Sequence, residues 1–401
     1  MQRFTGKQYL QIDIAGNFGL DNKSWDERLA WFDAHKDRLL EMMPQAKSPA
    51  LYFAAVQAWN DTLAGKPSGY PISLDATCSG LQLLAVLTGD RSAARLCNVV
   101  PTGNRMDAYA EIYQYMLNEV GGNALVTRDM AKDAILTSLY GSIAVPKQVF
   151  GEGNLLNVFF NTMKENAPAA WELNETYLAI WNPEALEYNW VLPDNYHVHI
   201  KVMSQVKDIV HFLDEPFDVF KTVNAPVEGG RSLGANTNHS LDGMIVREMT
   251  RRCNYSPLQV ETVRLSLHLC NKEAELFEED DDSNMVQILW DHYKNTGYLS
   301  ARIIDHLNEK NACLVDHAVV LELLDSFPAK PFEIICIHDC FRCLPNYGND
   351  MRMQYNRQLY LISKSNILSS LLSQIMGHDV KIGKLDATMH LDILDTEYAL
   401  S

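Results

Sequence analysis

Two aspartates and one short cationic segment carry the chemistry that this sequence offers. Asp75 closes the strand-like run Tyr70-Pro-Ile-Ser-Leu-Asp75 and opens a glycine-containing turn. Asp339 lies between two apolar runs, 332–337 and 340–344, in a hairpin pattern with the carboxylate at its tip. Alone, each reads as a turn residue or a helix cap. A charge between strand-like segments is costly to bury unless it is paired or holds a metal. The third element is Arg128-x3-Lys132-x7-Tyr140-Gly141. At 100° per residue its Arg128, Lys132 and Tyr140 fall within an arc of roughly 120° on a helix. That face puts two cations ahead of an aromatic hydroxyl, which suits a triphosphate and then a sugar or base. The competing reading is a solvated helix face, which also accounts for Asp129 and Asp133. Together the three elements are the parts of two-metal phosphoryl transfer. Carboxylates hold two Mg²⁺ ions, and cations neutralise the phosphates.

The elements that must position these groups read as mixed and mostly helical. Ser24 caps a helical pattern over 24–43. Further helices are expected over 50–59, 79–87, 107–120 and 128–139. Between Trp190 and Val223, alternating apolar positions and two turn signals point to a hairpin or small sheet. Helices return over 241–278.

Composition sets outer limits. The chain has 401 residues with 34 Lys+Arg against 51 Asp+Glu, a formal charge of −17. An acidic chain is a poor nucleic-acid binder by itself. Seven of the acids fall in 273–282 and read as a solvated helix end or loop. Eight cysteines and no recognisable leader suggest free thiols in a reducing compartment. No apolar run is long enough for a membrane span. Cys336-x-His338-x-Cys340-x2-Cys343 invites a zinc reading. On one strand Cys336, His338 and Cys340 would share a face, but ligands two apart converge poorly on a tetrahedral ion.

The three segments resemble motifs A, B and C of the single-subunit, bacteriophage-type DNA-dependent RNA polymerases, a family also found in mitochondria. They are Asp75-Ala-Thr-Cys-Ser-Gly-Leu-Gln82, Arg128-x3-Lys132-x7-Tyr140-Gly-Ser142 and His338-Asp-Cys-Phe341, in the family's order. Ala46-Lys47-Ser-Pro49 is similar to its triphosphate-contacting lysine segment. His239-Ser-Leu-Asp-Gly243 is similar to its histidine segment, and 392–401 to its terminal foot. The resemblance implies a polymerase right hand, α+β and predominantly helical, without a thumb or N-terminal domain. Palm would occupy 1–91 and 240–401, and fingers 92–239 with a specificity-loop-like hairpin near 199–222. It implies Asp75, Asp339 and the Ala76 carbonyl as ligands of two Mg²⁺. Lys47, Arg128 and Lys132 would bind triphosphate, Lys132 also protonating pyrophosphate. Tyr140 and His239 would address the ribose, and Tyr109 the templating base. His338 would support catalysis, and Ser401 would approach the site.

Family A DNA polymerases share the motif B pattern. They carry a glutamate five residues after the motif A aspartate, where this chain has Gly80, and usually Glu after the motif C aspartate, where it has Cys340. Both differences favour ribonucleotides. Asp133 replaces a cation of well-known phage members.

The resemblance covers only about the C-terminal half of the family's polypeptide. It is closest in kind to the larger subunit of the heterodimeric enzymes of N-four-like phages. That implies a second subunit supplying the N-terminal and thumb regions, with NTPs as substrate and RNA as product. Residues 197–252 hold seven cations and seven acids, so no basic patch reads duplex DNA. A single-stranded or pre-opened template, delivered with a single-strand DNA-binding accessory protein, is expected in the cytoplasm of an infected bacterium. A DNA-polymerising or primase-like enzyme and a non-catalytic scaffold are the alternatives.

Overall fold

Local capping sets many helix starts. Thr5 with Gln8 and Ser24 with Glu27 form capping boxes for Gly6–Ala15 and Trp25–His35. The pattern expected over 24–43 is interrupted, because Arg38 is non-helical and the chain resumes only at Leu39–Met42. Pro49 begins the helix Pro49–Leu63, where its missing N–H costs nothing. The computed structural model describes residues 1–121, 127–270 and 280–401. Most of the acidic run therefore lies outside the described residues. Asp280 caps Asp281–Thr296, with Asp281 and Asp282 in its first turn.

Among the described residues seven strands form three antiparallel sheets. The central one contains β1 (Ile72–Asp75), β6 (Ile335–Ile337) and β7 (Cys340–Cys343), in the order β1-β7-β6. The others are the pair β2 (Glu187–Val191) and β3 (His197–Lys201), and the pair β4 (Met203–Phe212) and β5 (Glu215–Asn224). Register sets the function of the central sheet. Ile72 faces Cys343 and Leu74 faces Phe341, and all four are buried. Ser73 faces Arg342 and Asp75 faces Cys340 on the opposite side, because side chains alternate along a strand.

One large core draws on elements from Phe4 to Leu400. It includes Tyr9, Trp25, Leu81, Ile135, Trp190, Met244, Phe341 and Tyr355. A separate cluster runs from Val263 to Leu324, and a third surrounds Ile14, Phe32 and Tyr52. The chain's last residues return to the central sheet. Ser401 exchanges backbone bonds with Asp75, and the Thr77 N–H donates to the Ala399 carbonyl. Among the described residues no helix is long and apolar enough to cross a membrane.

The long hairpin spans 203–224, a few residues beyond the expected 199–222. Its Leu213-Asp214 turn has φ +52° and +64°, the left-handed pair of a type I′ turn. Cys336 and Cys340 do not share a face. The His338-Asp339 turn reverses the chain, so Cys336 aligns with Phe341 and Cys340 with Ile337 on the other side.

Candidate active site

The hairpin turn brings the two aspartates together. His338 sits at φ +56°, a conformation uncommon for a non-glycine residue. The Ala76 N–H donates to the Asp339 carbonyl at 3.0 Å, which ties the turn to the end of β1. Burial raises the Asp75 pKa, and the nearby Asp339 charge adds to the rise, against a hydrogen bond from Cys340. The bonds to the returning chain end run through Asp75 and Thr77, on either side of the Ala76 carbonyl.

A third carboxylate faces the turn. Asp242 follows His239 by three positions on the helix Ser232–Cys253, so the two share a side of it. Burial and the Asp339 charge push Asp242 up to about 6, and His338 opposes this. The sequence contained this residue within the quoted histidine segment, and its i, i+3 spacing was the available signal.

Tyr140 and His239 lie side by side, with ring centroids 5.0 Å apart. A Cβ at position 80 would lie 2.6 Å from the Tyr140 Oη, so glycine there leaves room for the hydroxyl. Burial, then the Asp242 charge, raises this phenol to about 12, so it holds its proton at neutral pH. Tyr140 stands two residues past the end of the cationic helix. The helix is Arg128–Ser138, and Gly141 at φ +83° turns the chain out of it.

The cations divide into two groups. Lys132 lies over the Tyr109 ring at 5.4 Å, and the Tyr109 hydroxyl reaches the Cys78 Sγ at 3.5 Å. Arg128 forms an ion pair with Asp107, the cap of the helix Ala108–Glu119. Lys47 instead pairs with Asp21 at 3.2 Å, in a cleft of ≈ 210 Å³ also lined by Asp75, Asp13, Arg28 and Arg342. Asp13 is buried and accepts hydrogen bonds from the Tyr70 hydroxyl at 2.7 Å and the Ser73 N–H at 2.9 Å. Burial raises it to about 6. Nothing in the apolar run Tyr9–Ala15 marked Asp13 as part of the site, because its partners Tyr70 and Ser73 come from β1 and the residues just before it.

Among the described residues no three His, Cys, Asp or Glu side chains converge into a closed metal cage. Asp75, Asp339 and the Ala76 carbonyl make an open oxygen set. Such a set fits Mg²⁺, which takes one or two carboxylates and completes its shell with water and phosphate oxygens. Burial raises Asp75 and Asp242, and the Asp339 charge adds to both rises. The thiols have other partners: Cys336 meets the Thr250 hydroxyl, and Cys340 meets Ser73.

Residues 4–176 of this helix-rich chain match the family model described as DNA-dependent RNA polymerase. The stretch includes Lys47, Asp75, Tyr109, Arg128, Lys132 and Tyr140, and ends before His239 and Asp339. The DNA-directed RNA polymerase of Pseudomonas phage phiKMV is 32% identical over 152 residues, which are 33% of this chain and 18% of that protein. A probable DNA-directed RNA polymerase of Neurospora crassa is 30% identical over 126 residues, 29% of this chain and 14% of its own length. The mitochondrial DNA-directed RNA polymerase of Schizosaccharomyces pombe is 30% identical over 166 residues, 34% and 14% respectively. The matched part of the chain spans less than a fifth of each relative.

Proposed function

We propose that this chain is the catalytic subunit of a split, phage-type DNA-dependent RNA polymerase. It would extend an RNA 3′ end from NTPs on a DNA template and release pyrophosphate. The observation that carries the reading is the meeting of the Asp75–Asp339 pair with the Tyr140–His239 pair over Gly80. The Asp339 carboxylate thus lies near the Tyr140 hydroxyl, which a bulkier residue at position 80 would displace.

Asp75, Asp339 and the Ala76 carbonyl would hold two Mg²⁺. When bound, these ions would supply positive charge at the attacking 3′-hydroxyl and the leaving pyrophosphate. Arg128, Lys132 and Lys47 would bind the triphosphate, and Lys132 would donate a proton to the departing oxygen. The Tyr140 hydroxyl, protonated at neutral pH, and His239 would hydrogen-bond the ribose 2′-OH. Tyr109 would stack near the template base, and His338 would hold the turn that orients Asp339. In this reading 1–91 and 240–401 form the palm, and 92–239 the fingers.

A second subunit would supply the N-terminal and thumb regions and most of the DNA affinity, which a chain of charge −17 lacks. The template would be single-stranded or opened by an accessory single-strand DNA-binding protein. The test mixes the chain with its complementing subunit, single-stranded promoter DNA, Mg²⁺ and NTPs. RNA that disappears with Asp75→Asn or Asp339→Asn is the expected result. Product from dNTPs alone would assign a DNA polymerase, and no product from either would leave a scaffold.

A further inference from the structure

Asp107 makes two kinds of contact with one carboxylate. Its Oδ1 accepts from the backbone N–H groups of Tyr109 and Ala110, both at 3.1 Å, which caps the helix Ala108–Glu119. Its Oδ2 forms the ion pair with Arg128 Nη2. The capping bonds fix the carboxylate to a helix end, so the ion pair fixes the guanidinium as well. Arg128 has a second, longer contact from Nη1 to Asp129 at 3.4 Å, but Asp129 is almost fully exposed and holds little. The same helix carries Tyr109, whose ring lies under Lys132. One helix start therefore sets the positions of both cations of the Arg128–Ser138 helix.

We propose that Asp107 is a positioning residue for nucleotide binding: it holds the Arg128 guanidinium in the orientation that receives a triphosphate. The inference rests on the reading of Arg128 as a phosphate ligand. A guanidinium has five N–H donors in a planar fork, and one carboxylate oxygen on Nη2 leaves donors for a phosphate. Fixing the plane beforehand removes rotamer entropy that phosphate binding would otherwise lose. Asp107 does not touch the nucleotide and acts only through Arg128.

Asp107→Asn separates the two contacts, because Asn caps a helix as well as Asp but carries no charge. The chain is assayed with its complementing subunit for NTP KM and kcat, and by itself for binding of inorganic tripolyphosphate. KM and the tripolyphosphate Kd are each expected to rise about tenfold, as for other residues that orient a ligand group. The value of kcat should stay within about twofold, since binding rather than the transition state is affected. In an Arg128→Gln background the same substitution should have no further effect on Kd. An unchanged or lowered Kd in Asp107→Asn overturns the proposal, and so does an equal rise in the Arg128→Gln background. Asp107→Ser, another uncharged cap, replaces Asn if that variant fails to fold. A wild-type chain that shows this binding pattern but makes no RNA with its subunit would refute the polymerase reading and leave the Asp107 assignment standing.

Discussion

The central sheet and the β4–β5 hairpin are both antiparallel and both close on tight turns, yet they are built in opposite ways. The sheet strands have three or four residues each, and one face is sealed by Ile72, Leu74, Phe341 and Cys343. The hairpin strands have ten residues each, and all of them but Ser204 are exposed. Its cross-strand ion pairs, Lys207 with Asp218 and Lys221 with Asp208, are solvated. Phe212, Phe217 and Phe220 point into solvent on either side of its tip. A two-stranded hairpin without a packed face is marginal by itself. The contrast teaches that strand length does not measure rigidity. The short strands hold two carboxylates in register because their other face is core.

The comparison can be broken or sharpened at several points. Asp75→Asn or Asp339→Asn in the assembled enzyme should lower RNA synthesis by about 10³ or more, with the circular dichroism unchanged. Activity retained in either variant would remove the sheet from the chemistry. Tyr140→Phe should raise dNTP use relative to NTP by about tenfold, the worth of one hydrogen bond, measured as a ratio of kcat/KM values. An unchanged ratio would show that Tyr140 does not sense the sugar.

Leu74→Ala, on the sealed face, should cost about 2–5 kcal/mol in denaturant unfolding. Phe220→Ala, at 65% exposure on the hairpin, should change unfolding by less than about 0.5 kcal/mol. Comparable losses in the two would mean that the hairpin face is packed in solution.

A pH measurement tests the cleft behind the sheet. Asp13 rises from 3.8 to about 6 on folding, so the native state binds more protons than the unfolded chain between those values. Its contribution is full below the lower value and is lost as pH rises through the upper one. The stability of the wild type relative to Asp13→Asn should therefore fall between pH 4 and 6 and level off above. A flat difference across that range would place Asp13 in a wetter setting.

Much of the local structure was legible. The cap at Ser24, the proline start at Pro49 and the turn between two apolar runs at 338–339 all follow from short-range preferences. What failed did so for identifiable reasons. The cysteines were placed on one side because a strand reading ignored the turn between them. Asp107, Asp13 and Asp242 were missed because an isolated acid looks the same whether it ends in solvent or against a partner.

The sequence by itself determined the chemical inventory: two aspartates in strand-and-turn settings, a cationic helix, and glycine at position 80. Those are properties of residue type and near-neighbour spacing, which local sterics and hydrogen bonding enforce. Only the tertiary structure decided that β1 pairs with β7, so that Asp75 and Asp339 share one end of a sheet. It also decided that Lys47 pairs with Asp21, and that Asp107 holds Arg128. Strand register and ion-pair choice depend on groups far apart in the chain, and burial fixes which of them meet.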